Sequence, residues 1–131
     1  MSKKGFCDDI EKLTEENDLY RKVLYTGKHL QLVLMTLQPG EEIGAEVHET
    51  HDQFFRFEEG KGKLVIDNNE YEIKADFGAI VPAGAKHNVI NTGDEPLRLY
   101  TIYGPPEHRD GVVVDVKANE KEEHFDGKTT E

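Results

Sequence analysis

From Tyr20 onward, short runs of apolar residues alternate with turn signals built from Gly, Pro, Asn and Asp. The runs have the length of strands, and no stretch between them carries the helical spacing of apolar residues. The pattern therefore predicts an all-β fold, an antiparallel sandwich or barrel. The predicted strands are residues 21–26, 30–37, 43–48, 53–58, 62–67, 70–74, 79–81, 87–91 and 97–103.

The two ends of the chain differ from this central region. Residues 1–19 are polar and hold one short helical turn, which Asp8 or Asp9 caps and which runs through Glu16. Residues 112–116 add an edge strand, whereas residues 117–131 are acidic and indicate a solvated tail or a helix docked on a neighbour. The 131 residues thus divide into an N-terminal segment at 1–19, one barrel domain at 20–116 and an acidic tail at 117–131.

The charge balance removes two classes of partner. Acidic residues outnumber basic ones by 27 to 16, which gives a formal charge of -11. This charge repels phosphate backbones and anionic lipids, so we expect neither nucleic-acid nor membrane binding. Cys7 is the single cysteine, which is typical of a reducing, cytoplasmic protein.

Chemistry-bearing side chains are concentrated in residues 40–60 and 76–91. Side chains two apart on a strand share a face, so Glu46 and His48 point the same way. The turn around Pro82 and Gly84 fixes the position of His87. Oxygen and imidazole ligands from neighbouring strands can then converge on one metal ion inside a barrel. On the next strand along the chain, Gln53, Phe55 and Phe57 share a face in the same way.

These residues resemble the two motifs of the cupin superfamily, which are small jelly-roll barrels. The first motif of that family places Gly, His, His, Glu and Gly at the positions held here by Gly40, Glu46, His48, Gln53 and Gly60. The second motif places Gly, Pro, Gly, His and Asn at the positions held here by Asp76, Pro82, Gly84, His87 and Asn91. The resemblance implies a double-stranded β-helix, or jelly-roll barrel.

By the same resemblance, the metal ligands are Glu46, His48, Gln53 and His87. The chain departs from the family pattern at two of them, because Glu46 replaces a His and Gln53 replaces the Glu. Two imidazoles and one carboxylate still suit a divalent transition metal such as Fe, Mn, Ni or Zn, with the amide as a weak fourth ligand.

The resemblance implies a metal-dependent enzyme that acts on a small organic molecule with isomerase-like or dioxygenase-like chemistry. Glu46 is then the catalytic acid or base, and Phe55 and Phe57 line an apolar substrate pocket. Small cupins of this kind are also described as mannose-6-phosphate-isomerase-like, but Arg56 and Lys86 have the parity of outward residues and disfavour a sugar phosphate. The alternative is a non-catalytic cupin that binds a small molecule without metal.

The remaining four histidines are expected to lie outside the metal site. His51 lies three residues after His48, on the opposite face of a regular strand, and is interpreted as a surface histidine. His29, His108 and His124 lie in turns or in the tail and are expected to be solvated.

Strands such as 30–35 and 53–57 are apolar on both faces, which predicts a homodimer.

Overall fold

In residues 2–131, one short helix precedes the barrel. The computed structural model describes residues 2–131; Met1, at the start of the expected N-terminal segment, lies outside the described residues. Helix α1 spans Ile10–Glu15, and the Asp9 carboxylate caps it by accepting a hydrogen bond from the Lys12 backbone N–H. Asp9, rather than Asp8, is therefore the cap. Among residues 2–131, no helix is long and apolar enough to cross a membrane.

Ten strands follow within the described residues, and they confirm the all-β prediction. All but one of the predicted strands match an observed strand to within one or two residues at each end. The exception is the predicted strand 43–48, which shortens to two residues. The strands are β1 Arg21–Thr26, β2 Gln31–Leu37, β3 Glu46–Val47, β4 Asp52–Glu59, β5 Lys61–Ile66, β6 Asn69–Lys74, β7 Gly78–Val81, β8 Lys86–Ile90, β9 Leu97–Gly104 and β10 Val113–Val114, and a 3-10 turn follows at Lys117–Asn119.

The strands form two antiparallel sheets that pack face to face. The larger sheet has the order β10-β1-β2-β9-β4-β7, and the smaller has the order β3-β8-β5-β6. Strands adjacent in sequence, such as β4 and β5 or β7 and β8, belong to different sheets, so the chain crosses from one sheet to the other repeatedly. This is the double-stranded β-helix that the resemblance implied.

The core lies between the sheets and follows the alternation of side chains along each strand. On β4 and β9, every second residue is buried, including Phe55, Phe57, Leu97 and Leu99. Burying an apolar side chain of this size contributes about 1.5–3 kcal/mol each, so these strands anchor the barrel. The same inward positions hold polar residues next to this core, namely Gln53 and Thr101.

The outer face of the larger sheet carries a continuous apolar row. The register pairs Leu32 with Ile102, Ile102 with Phe54, and Phe54 with Ile80, so these four side chains cross four adjacent strands. Ile80 is 68% exposed. We call these four residues the outer apolar row; the homodimer predicted from the sequence would use this face.

The hairpin between β5 and β6 differs from the expected one by one residue. The predicted strands 62–67 and 70–74 leave Asn68 and Asn69 between them as the loop, but Ile66 pairs directly with Asn69, so Asp67 and Asn68 form the loop. Asp67 adopts a φ of 51°, a left-handed conformation that Asp tolerates better than most residues. A two-residue loop is retained.

The C-terminal segment is neither a free tail nor a docked helix. The Phe125 N–H donates to the Glu107 carbonyl oxygen at 3.0 Å, and the Arg109 N–H donates to the Glu123 carbonyl oxygen at 2.9 Å. Further along, the Thr130 N–H donates to a β1 carbonyl oxygen at 2.9 Å. The composition of this segment indicates solvation, but backbone hydrogen bonds hold it against the barrel. Such bonds do not depend on side-chain type, so composition does not reveal them.

Candidate metal centre

Two paired strands place Glu46 opposite His87. β3 and β8 are antiparallel, and their register makes Glu46 the cross-strand partner of His87. His48 follows two positions after Glu46 and turns to the same side. One ligand atom from each of these three side chains lies within 4.8 Å of the other two. The structure therefore brings together three of the four residues that were expected to hold a metal.

The turn before β8 fixes two of these histidines relative to each other. Ala85 N–H donates to the Pro82 carbonyl oxygen at 3.2 Å, which closes the turn. Gly84 has a φ of 87°, a conformation that favours glycine, and its N–H donates to the His48 carbonyl oxygen at 2.9 Å. The residue after the turn is thus held in a fixed position against the backbone of His48.

The environment of His87 leaves one ring nitrogen free. Its side chain is buried, and its Nδ1 lies 3.3 Å from the Ala85 carbonyl oxygen. A carbonyl oxygen only accepts, so this contact assigns the proton to Nδ1 and leaves a lone pair on Nε2. The ring packs on Phe55, with 6.1 Å between ring centroids.

The two nitrogens of His48 face two different carboxylates. Nε2 lies 3.0 Å from Glu46 Oε2, and Nδ1 lies 3.6 Å from Glu107 Oε2. Among the described residues, the buried Nε2 has no hydrogen-bond partner of acceptable angle. A nitrogen of this kind beside a carboxylate oxygen fits a divalent cation, and a second carboxylate behind the ring is the usual support of a metal-binding histidine.

Gln53 is buried on β4 with its amide held on one side only. Its Nε2 donates to Thr101 Oγ1 at 2.9 Å, and the Thr101 hydroxyl donates to the Phe54 carbonyl oxygen at 2.9 Å. Within the described part of the chain, the buried Gln53 Oε1 has no hydrogen-bond partner. The ligand role of Gln53 stays a prediction, and its free oxygen is compatible with that role.

The electrostatics of the three side chains follow from their contacts. Burial alone would raise the pKa of the Glu46 carboxyl, but the close contact with His48 and the nearby positive charges lower it below its ordinary value. The same contact with Glu46 raises the pKa of His48. Burial lowers the pKa of His87, so this ring is neutral near neutral pH, which is the form that binds metals.

Comparison with known proteins settles the family. The model of the Cupin_2 family, described as a cupin domain, matches residues 33–103, which is more than half of the chain. The chain belongs to the cupin family. Glu46, His48, Gln53 and His87 lie within the matched region.

Relatives of this cupin include a bacterial and a viral protein. It is 44% identical over 122 residues to the uncharacterized protein YrkC of Bacillus subtilis (strain 168), covering 88% of this chain and 66% of YrkC. It is 36% identical over 109 residues to the uncharacterized protein L612 of Acanthamoeba polyphaga mimivirus, covering 80% of this chain and 68% of L612. The crystal structure of BH2720 from Bacillus halodurans has a TM-score of 0.86 and 44% identity, covering 88% of this chain and 92% of that one. The cupin thus spans less than two thirds of the length of YrkC.

Two histidines of the cupin lie closer to the site than the sequence indicated. His51 was expected on the surface, but its Nε2 lies 2.9 Å from the Pro106 carbonyl oxygen and 3.3 Å from Glu107 Oε2. His108 was expected to be solvated, but it is half-buried and its Nε2 lies 3.3 Å from the Tyr103 hydroxyl. Both expectations were wrong, because the segment after β9 folds back over the barrel mouth.

The other two histidines remain in solvent as expected. His29 is exposed. His124 is 67% exposed, although its Nδ1 comes within 3.4 Å of Glu107 Oε1. Glu107 therefore contacts three histidines, although no motif in the sequence pointed to it.

Phe55 and Phe57 belong to the core of the cupin. Both are fully buried, and their rings stack with 6.0 Å between centroids. Neither is among the residues that line the cleft beside Glu46 and His48, and the role of these two rings beside a substrate stays a prediction. Both rings point into the barrel core, and the ring of Phe55 packs against the ring of His87.

The walls of the actual cleft are polar and charged. The cleft has a volume of about 430 Å³ and is lined by Glu46 and His48, by Glu107, by Arg21 and by residues 120–124. Arg21 was missed by the sequence reasoning, although its parity with the core residue Val23 on β1 was the available signal. The expected outward direction of Lys86 is confirmed by its exposure, and Arg56, which is half-buried at the surface, pairs there with Asp76.

Proposed function

We propose that this cupin binds one divalent transition metal ion through Glu46, His48 and His87, with Gln53 as a weaker fourth ligand. The observation that carries the proposal is the buried Nε2 of His48, which lacks a hydrogen-bond partner among the described residues and lies 3.0 Å from a Glu46 oxygen. Two neutral imidazoles, one carboxylate and one amide oxygen suit Fe, Mn, Ni or Zn.

The substrate we propose is a small organic molecule with adjacent oxygens, such as a hydroxy-ketone or a diketone. A bound ion would supply Lewis acidity toward such a molecule. Glu46 is the residue in the cleft that would take up or return a proton at a carbon next to a carbonyl group, because it faces both the cleft and the ligand cluster. The chemistry is isomerase-like or dioxygenase-like, in a cytoplasmic protein.

One observation also favours a second function, a non-catalytic cupin that binds a small molecule without metal. The contact between Glu46 and His48 is close enough to act as an ion pair, so the cluster is electrostatically satisfied by protein groups alone. The two functions differ in what the protein carries when it is purified, and this difference can be measured.

The test is elemental analysis of protein purified without chelator, followed by metal titration of the chelator-treated protein. We expect about one ion per chain, and His87→Ala should abolish binding. His51→Ala is the matched control, since it removes a neighbouring imidazole outside the cluster. Loss of metal in His51→Ala together with retention in Glu46→Ala would refute the ligand assignment.

A second measurement separates enzyme from binding module. Protein loaded in turn with Fe, Mn, Ni and Zn is assayed for oxygen uptake and for keto–enol exchange on hydroxy-ketones and diketones. We expect activity that Glu46→Gln lowers even at metal concentrations high enough to fill the weakened site. Tight metabolite binding by the metal-free protein, with no activity in any loaded form, would support the binding module instead.

A further inference from the structure

The buried guanidinium of Arg21, at the mouth of the barrel, pairs with a carboxylate of the C-terminal segment. Arg21 begins β1 and is 3% exposed. Its Nη1 lies 2.8 Å from Oε2 of Glu120, which follows the 3-10 turn in the C-terminal segment. Among residues 2–131, its buried Nε has no hydrogen-bond partner. Because a buried charge is costly unless it is fully paired, this guanidinium has unused capacity for an oxyanion.

Arg21 faces the same cleft as the metal ligands. Glu46, His48 and Arg21 all line this cleft of about 430 Å³, and Glu120 closes it from the side of the C-terminal segment. A small molecule that enters the cleft therefore meets a cation on one wall and two of the three clustered ligands, Glu46 and His48, on another. The barrel supplies both walls, whereas the C-terminal segment supplies the carboxylate now in contact with the cation.

We propose that Arg21 is a carboxylate-binding residue of this cleft and that the Glu120 carboxylate occupies it until a small carboxylate ligand takes its place. The inference rests on the proposed function, because it specifies the substrate of the same site. The ligand class is a 2-oxo or 2-hydroxy carboxylate. Its carboxylate would pair with Arg21, and the neighbouring oxygen would reach an ion held by Glu46, His48 and His87.

The chemistry of the cleft favours a carboxylate over a phosphate. The group that now pairs with Arg21 is itself a carboxylate, and the planar guanidinium fork matches a carboxylate in two parallel hydrogen bonds. Glu46 and Glu107 also face the cleft. Their charges oppose a dianionic phosphate more strongly than a singly charged carboxylate.

Displacement of Glu120 requires only a local change. Its other contacts are long, since the Tyr20 hydroxyl lies 3.5 Å and the Lys117 Nζ lies 3.4 Å from its carboxylate oxygens. The segment around it is held independently, because Lys117 Nζ donates to the Ile43 carbonyl oxygen at 2.9 Å. The side chain can therefore leave Arg21 while the backbone stays in place.

The first test compares pyruvate with methyl pyruvate, which keeps both carbonyl groups but has no charge. Binding is measured by calorimetry on the full chain, both chelator-treated and loaded with Mn(II). Glu120→Gln should tighten pyruvate binding by roughly tenfold to a hundredfold, because the competing charged contact is lost. Glu72→Gln, which changes an exposed acid on β6 outside the cleft, is the matched control and should change nothing. Methyl pyruvate should bind equally to all three proteins.

The second test removes the cation. Arg21→Met should lose pyruvate binding and retain Mn(II) binding, with circular dichroism as the check of folding. Arg21→Lys keeps the charge without the planar fork and should bind pyruvate more weakly than the wild type; it carries the test if the Met variant does not fold. Unchanged pyruvate affinity in the folded Arg21 variants, no gain in Glu120→Gln, or tighter binding of inorganic phosphate than of pyruvate would each overturn the inference.

The two proposals fail in different ways. If Mn(II) does not bind but chelator-treated protein binds pyruvate through Arg21, the metal function is refuted and the carboxylate site stands. If Mn(II) binds through the ligand cluster but pyruvate does not bind, the metal function stands and the carboxylate site is refuted.

Discussion

Replacing His108 should remove a large part of the pH dependence of stability between pH 7.5 and pH 5. Burial, together with the positive charges of Arg21 and the neighbouring histidines, lowers the pKa of His108 from an ordinary value of 6.5 to about 3. The folded protein therefore binds a proton on this ring less tightly than the unfolded chain does. His108 contributes stability that is fully present above about pH 6.5 and is lost as the pH falls toward 3.

The magnitude follows from these two pKa values. At pH 5 the ring is almost fully protonated in the unfolded chain and almost fully neutral in the folded protein. The difference lowers the free energy of unfolding by about 2 kcal/mol relative to pH 7.5. The carboxylates that begin to titrate in this range do so in the wild type and in a His108 variant alike, so they cancel in the comparison.

The assay is urea denaturation of chelator-treated protein at pH 7.5 and pH 5, for the wild type and for His108→Gln. The wild type should lose about 2 kcal/mol more than the variant between the two pH values. His29→Gln, which changes an exposed histidine, is the control and should behave as the wild type does. Equal losses in the wild type and His108→Gln would show that the ring titrates normally and would refute the reasoning.

Three further predictions follow from other parts of the molecule. Glu107→Gln should weaken metal binding about 10-fold to 100-fold in a calorimetric titration, because it removes the carboxylate behind His48. An unchanged affinity would mean that Glu107 does not orient the His48 ring. Gly60→Ala should lower the free energy of unfolding by about 2 kcal/mol or more, because Gly60 has a φ of 93° and an added Cβ would lie 2.5 Å from the Pro96 carbonyl oxygen; a smaller loss by urea denaturation would contradict this. Light scattering should give twice the chain mass of 14.9 kDa for the wild type. Ile80→Asp puts a charge into the outer apolar row and should give the mass of one chain. A wild-type monomer would refute the homodimer.

Local patterns in the sequence predicted the strands and the ligand cluster. The position of Glu46 two residues before His48 fixes a shared face, and the turn before His87 fixes the start of β8, so both are local features that a sequence displays. The cross-strand pairing of Glu46 with His87 is not local, but the resemblance to the cupin motifs supplied it.

The rest of the site could not be predicted because it depends on how distant segments meet. Glu107 lies after the last long strand, where no periodicity assigns a direction to its side chain, yet it contacts His48 and His51. Glu120 reaches Arg21 across 99 residues of sequence, from a segment whose composition indicates solvation. Arg21 itself was predictable in direction from the alternation on β1, but not in partner.

The two departures from the cupin motif compensate each other. The Thr101 hydroxyl uses its one hydrogen on the Phe54 carbonyl oxygen, so the side chain at position 53 must donate to it, which the amide of Gln53 does and an ionised Glu could not. A Glu at position 53 would also be a second carboxylate beside the one at Glu46, where the family usually has a His. Gln53 and Glu46 therefore keep one negative charge in the proposed ligand set, while Gln53 also satisfies the hydrogen bonding between β4 and β9. The amide at position 53 thus fits the hydrogen bonding around Thr101, and with the carboxylate at position 46 the proposed donor set remains one that suits a divalent transition metal.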